Sequence, residues 1–285
     1  MALLVSERVG QFFVDEHRLE YTEYGSGGRW VVLVPGQLVP RSLHQRLARV
    51  LAADGAHVVA LDLLGHGRSD RPVDPRRYSM AEFADQVLAL LDHLGAEQAV
   101  VGGTSMGANV ALEVAAVAPQ RVRALLLEMP ILDNSLAASV LVYAPLMLAA
   151  RTAPFAVDAV RVATRLVPRG VVPLWAGVVL DTLNQRPRSM AAALHGVFFG
   201  RIAPPSRVRA AIDVPALVVG HRRDPLHSVH DARMAAEELP RAEYVEASGP
   251  LEWRLAPQRL DAAAAKVVNI AWATRPARRR RSLAR

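Results

Sequence analysis

Ser105 lies in Gly103-Thr104-Ser105-Met106-Gly107, between the apolar run Ala99-Val100-Val101 and the helix-forming stretch VALEVAAVA. A serine on a tight strand-to-helix turn has its hydroxyl thrust up at the carboxyl edge of a sheet. Glycines two residues either side are needed because the strand and helix backbones pass too close there for a Cβ. The start of the new helix also points unpaired N–H groups at the same spot, which favours a developing oxyanion. The chemistry this pattern suits is nucleophilic attack on an acyl carbon. A dinucleotide site does not fit, because G-x-G-x-x-G is absent and GSGG at 25–28 precedes its strand.

A serine hydroxyl is a poor nucleophile at neutral pH and needs a base, which in turn needs an orienting acid. Those groups must come from other elements. Trp30–Val34 is a continuous buried-strand run ended by Pro35-Gly36, and His57–Leu61 and Val122–Leu127 are of the same type. Phe12–Val14 with Leu19–Tyr24 predicts a short hairpin pair. Ser42–Ala53, Met80–Leu94 and Gly107–Ala116 show helical spacing of apolar residues. After Val214 the alternation resumes with Ala216–Val219 as strand, Val229–Leu239 as helix, Tyr244–Glu246 as strand and Pro257–Thr274 as helix. Alternation at this spacing predicts an α/β fold, a mostly parallel central sheet with helices on both faces. Between 131 and about 205 there is no convincing strand, only short apolar helical pieces punctuated by Pro145, Pro154, Pro168, Pro173 and Pro187. The expected organisation is a core of 1–130 and 211–275, a helical cap insertion at 131–210 and a basic, disordered tail at 276–285.

With these motifs in place the chain resembles the α/β-hydrolase superfamily, serine-nucleophile type, over nearly all its length. Asp62-Leu63-Leu64-Gly65-His66-Gly67-Arg68-Ser69-Asp70 is similar to the D-x-x-G-x-G-x-S loop of that family. His66 in it reads as a loop-shaping residue. Pro35-Gly36-Gln37 stands where many members carry His-Gly-x. The resemblance implies an oxyanion hole made by the backbone N–H groups of Gln37 and Met106. Gly220-His221-Arg222-Arg223-Asp224-Pro225-Leu226-His227 resembles the loop that carries the acid, which implies Asp224. A second acid position used by some members falls near Glu128 or Asp133.

One part departs from the family. Members supply the base from a histidine after the last strand, about seven residues before a proline; counting back from Pro257 lands on Pro250. The last histidine in the chain is His230, so no shift of register supplies one. Four side chains stand as candidates: His227 and His230 beyond the acid loop, His195 in the helical region, and Glu252 beside the vacant slot. A glutamate in an apolar pocket has a raised pKa and can act as a base. Each also has a structural reading: His227 and His230 at a helix start, His195 as a satisfied polar residue, Glu252 paired with Arg254 or Arg222. The expected function is hydrolysis of an ester or similar acyl bond in a small apolar substrate. The alternative is a catalytically degenerate member that binds a small hydrophobic ligand or a protein partner, and slow acyl chemistry without a full triad is a third reading. The apolar preference rests on Leu141, Val142, Leu146, Met147, Leu148, Leu174, Trp175, Phe198 and Phe199.

Composition bounds the rest. The 285 residues carry a net charge of +7, but the final eleven, RPARRRRSLAR, hold six arginines and no acid, leaving a body of 28 basic and 27 acidic residues. Such a balance does not call for a specific nucleic-acid partner. There is no cysteine, so neither a disulfide nor a thiolate metal site is possible. His221, Asp224, His227, His230 and Asp231 cluster in sequence but match no metal-site spacing, so neither a metal nor an organic cofactor is expected. No stretch reaches about 18 uninterrupted apolar residues, and the N-terminus lacks a secretory pattern; the expected location is cytoplasmic.

Overall fold

The computed structural model describes residues 5–168, 172, 180–181, 183–249 and 251–273. The hairpin strands β1 (Glu7–Val14) and β2 (His17–Tyr24) lead into β3 (Trp30–Val34), β4 (His57–Asp62), β5 (Ala99–Thr104), β6 (Val122–Glu128), β7 (Ala216–His221) and β8 (Ala242–Ala247). Together they form one eight-stranded sheet in the order β1-β2-β4-β3-β5-β6-β7-β8. β1, β2 and β4 pair antiparallel; from β4 through β8 every pairing is parallel.

Period-two alternation sends the strand residues to two separate cores. Val32, Val34, Val59, Leu61, Val101, Leu125, Leu127 and Val218 face one way. They pack under α2 (Met80–His93), α3 (Met106–Val117) and α7 (Val229–Glu238). Val31, Leu33, Val58, Ala60, Val100, Leu126 and Val219 face the other way, under α1 (Gln45–Ala53) and α8 (Gln258–Ala273). Burial on both faces explains why these strands read as continuous apolar runs. α2 starts where Ser79 accepts from the Glu82 amide at 3.2 Å, a serine and glutamate in capping-box spacing.

From β3 the chain crosses outward to β4 and then returns past β3 to β5. The ends of β3 and β5 therefore flank the point where strand order reverses, the place in open α/β sheets where a crevice forms at the carboxyl edge. Gly36-Gln37 and Ser105 follow those two strands.

Between β6 and β7 the described residues contain helices and no strand: α4 (Leu136–Thr152), α5 (Pro154–Arg165) and α6 (Pro187–Phe198). Pro154 and Pro187 open helices, where a missing N–H costs nothing. Pro145 does not punctuate, contrary to expectation: α4 runs through it for 17 residues. It is exposed, so the carbonyl it leaves unbonded, that of Leu141, can turn to water. Leu141, Val142, Leu148 and Phe199 are exposed, while Leu146, Met147 and Phe198 pack against the core; Leu174 and Trp175 lie outside the described residues. So does the arginine tail. Among the described residues no single helix is long and apolar enough to cross a membrane, and the apolar pair 137–152 and 154–165 is bent by 106°.

Two buried histidines carry a pH consequence. Burial lowers His44 to about 4, with Arg254 adding to the effect, and burial lowers His66 to about 4. Both are neutral in the fold and take up protons more readily in the unfolded chain, so stability falls as pH drops from 6.5 towards 4. Between pH 6.5 and 5 the loss is on the order of 1.5 kcal/mol per histidine. Burial lowers His221, but Glu128 outweighs it and the ring is raised above its ordinary value, so it acts in the opposite direction; its window lies above 6.5. The urea midpoint is expected to fall clearly between those two pH values. A flat midpoint contradicts the neutral, buried state of both rings.

Candidate active site

Ser105 is held at φ 58° and ψ −119°, a left-handed conformation that a non-glycine residue adopts only under local constraint. Its amide donates to Glu128 O at 2.8 Å, which ties the turn to the neighbouring strand. A Cβ on Gly103 would lie 2.3 Å from Val34 O, and one on Gly107 would lie 2.1 Å from the same atom. Both glycines are therefore required by backbone contact, as the spacing predicted. Met106 is the first residue of α3, so its N–H has no partner within the helix. Gly36 abuts Ser105: a Cβ there would lie 3.6 Å from Ser105 Cβ. The segment is closed by Val39 N donating to Gly36 O at 3.1 Å, with Leu38 at φ 62°. Both side-chain amide atoms of Gln37 are buried without a hydrogen-bond partner, which leaves them available to a bound molecule.

Of the four base candidates, the structure brings His227 to Ser105. His227 Nε2 lies 2.8 Å from Ser105 Oγ, and His227 Nδ1 lies 3.0 Å from Asp224 Oδ2. With Nδ1–H donating to the carboxylate, Nε2 is the lone-pair nitrogen and accepts the serine hydroxyl. The loop makes this possible by folding on its own aspartate. Asp224 Oδ1 accepts the amides of Leu226 at 2.8 Å and His227 at 2.9 Å, an Asx turn that swings residue 227 back over the carboxylate. Burial works to raise Asp224, but the bonds from His227 and Leu226 outweigh it, and its pKa is lowered. A charged carboxylate there can hold the ring and stabilise an imidazolium.

The other base candidates are elsewhere. Glu252 does not have the raised pKa of a base: burial raises it, yet bonds from Ser248 and Arg259 prevail and it is lowered. Its partners are the Ser248 amide and Arg259 at 2.7 Å, not Arg254 or Arg222. His195 accepts from Arg151 at 2.9 Å and packs on Phe199. His230 is exposed in the first turn of α7. Pro250, at the family's usual histidine position, lies outside the described residues.

Of the second acid positions, Asp133 is exposed, and Glu128 serves a buried cluster of its own. Glu128 accepts from Thr104 and from Arg254 at 2.7 Å, with His221 Nε2 3.2 Å away. His221 Nδ1 in turn meets Gly249 O at 2.8 Å, so the cluster pins the loop after β8. Asp231 accepts the amides of Leu132, Asn134 and Ser135 at 2.8 to 3.0 Å, fixing the chain before α4. Among the described residues no group of three or more histidines and acids is arranged to hold a metal ion.

Residues 29–167 match the family model for the alpha/beta hydrolase fold. The chain has the alpha/beta hydrolase fold. An enol-lactonase from Burkholderia xenovorans LB400 superposes on 91% of this chain and all of its own with a TM-score of 0.73 at 23% identity. A dihydrolipoyllysine-residue acetyltransferase component of the acetoin cleaving system from Pseudomonas putida is 45% identical over 103 residues, 35% of this chain and 26% of its own. A 2-hydroxymuconate semialdehyde hydrolase from Pseudomonas putida is 43% identical over 70 residues, 25% of each chain. The matched parts thus span about a quarter of these two relatives. Within this α/β-hydrolase-fold chain, the candidate that the structure brings to Ser105 and that the sequence did not single out is His227. Its signal was the Asp-Pro-Leu-His spacing, the reach of an Asx turn.

Proposed function

We propose that this α/β-hydrolase-fold protein is a serine hydrolase acting on an ester or related acyl bond of a small apolar substrate. Ser105 is the nucleophile, His227 the base and Asp224 the orienting acid. The observation that carries this reading is the unbroken chain of contacts from Ser105 Oγ through His227 to Asp224. Ser105 Oγ attacks the acyl carbon as its proton passes to His227 Nε2, and Asp224 stabilises the imidazolium. The N–H groups of Met106 and Gln37 receive the oxyanion. The leaving oxygen takes the proton from His227, leaving an acyl-serine. A water then gives its proton to the same nitrogen and attacks the acyl carbon; the acyl–Oγ bond breaks, Ser105 Oγ takes the proton back from His227, and the acid is released. The helices between β6 and β7 act as a cap whose Leu146, Met147 and Phe198 face inward. A degenerate, ligand-binding member was suggested mainly by the want of a histidine base, and the contact at 2.8 Å removes that support.

Labelling with a fluorophosphonate probe tests the reading. Rapid modification is expected at Ser105 and nowhere else, abolished in Ser105→Ala. Folded protein that resists the probe contradicts an activated serine.

A further inference from the structure

A groove of about 830 Å³ runs between the loop after β4 and helices α5 and α6. Its wall carries Arg71, Arg161, Arg165, Arg186 and Arg188 against a single acid, Asp158. Elsewhere many of the buried or half-buried arginines meet carboxylates. Arg41 pairs with Glu20, Arg46 with Asp261, Arg209 with Glu238 and Arg254 with Glu128. Among the described residues, only Arg161 of the groove has such a partner, Asp158 at 2.6 Å. Arg71 is held by the carbonyls of Gly65 and Gly67 and by Gln185, all neutral. Arg165 bonds to Asn184, also neutral, at 2.8 Å. The side chains of Arg186 and Arg188 have neither a hydrogen bond nor an ion pair among the described residues. Burial lowers Arg71 and Arg186 adds to it, with Asp62 and Tyr78 offsetting only part.

Five positive charges facing one negative repel each other unless an anion joins them. Guanidinium forks match phosphate oxygens two at a time, and a volume near 800 Å³ is that of a small-molecule site rather than of a lone ion. A single carboxylate would leave most of the charge uncompensated. We propose that this groove binds a small molecule bearing a diphosphate or equivalent cluster of phosphate charge. Hydrogen bonds also link the groove to the loop beside Ser105. Gln185, bonded to Arg71, donates from Nε2 to Leu38 O at 2.9 Å, one residue from Gln37. The phosphate belongs either to the far end of an ester substrate or to a separate phosphorylated molecule.

Titration calorimetry of the full chain with inorganic pyrophosphate tests the site. Saturable one-site binding is expected, weakened roughly tenfold or more in the Arg186→Gln, Arg188→Gln double variant. Both residues are exposed and unpaired, so the fold should survive. Arg76→Gln, outside the groove and paired with Asp74, should leave the affinity unchanged. No saturable binding, or equal weakening by Arg76→Gln, overturns the proposal. This arm needs no hydrolysis, so it stands or falls separately from the hydrolase reading. The source is told apart by the KM of an ester with a terminal phosphate and of the same ester without it. A rise for the first alone in the double variant marks a substrate handle; no change in either, with pyrophosphate binding lost, marks a separate ligand.

Discussion

His227→Ala is expected to lower kcat/KM for an activated ester by about 10⁴-fold, a loss of about 5.5 kcal/mol of transition-state stabilisation. The melting temperature should barely move, because among the described residues the His227 side chain bonds only to Ser105 and Asp224. Asp224→Asn should act in the same direction, since the amide cannot hold the ring in the tautomer that leaves Nε2 free. Glu252→Gln is the control: its carboxylate is engaged with Ser248 and Arg259, and turnover should be unchanged within about twofold. Parallel steady-state kinetics on the four proteins separates the candidates. If His227→Ala keeps its rate while Glu252→Gln loses it, the assignment of the base given above is wrong.

The second large effect is on stability. Glu128→Ala removes the carboxylate shared by Thr104, Arg254 and His221, and leaves a wholly buried imidazole and a mostly buried guanidinium without their anion. Breaking a buried pair from one side costs about 3–5 kcal/mol, far more than the pair contributes relative to an apolar replacement. Chemical denaturation should register that loss. Protein that still folds should retain probe labelling of Ser105, because the His227 ring is bonded to Asp224 and not to Glu128. Unchanged stability with labelling abolished would instead make Glu128 the acid of the triad, at the second position the family uses.

Much of this protein is legible without coordinates. The runs at Trp30–Val34, His57–Leu61 and Val122–Leu127 declare two-sided burial, because only β-strands covered on both faces need every residue apolar. The elbow glycines declare themselves for a similar reason: the strand-to-helix turn at Ser105 leaves no room for a Cβ at 103 or 107, so local geometry dictates the residue type. Asp224 stood out as a candidate through the resemblance of its loop. What distinguishes His227 from His195 and His230 was not visible, because all three are equally plausible histidines until the distance across the sheet edge is known. That distance depends on β5 and β7 being separated only by β6, and on an Asx turn aiming one ring at Ser105 across 122 residues of chain. The fates of Glu252 and Glu128 were likewise decided by partners remote in sequence or from neighbouring loops. Periodicity and glycine spacing are local properties that a chain carries in its order of residues. A proton relay and an uncompensated cluster of arginines are made by side chains from different elements, and only the packed tertiary structure brings those together.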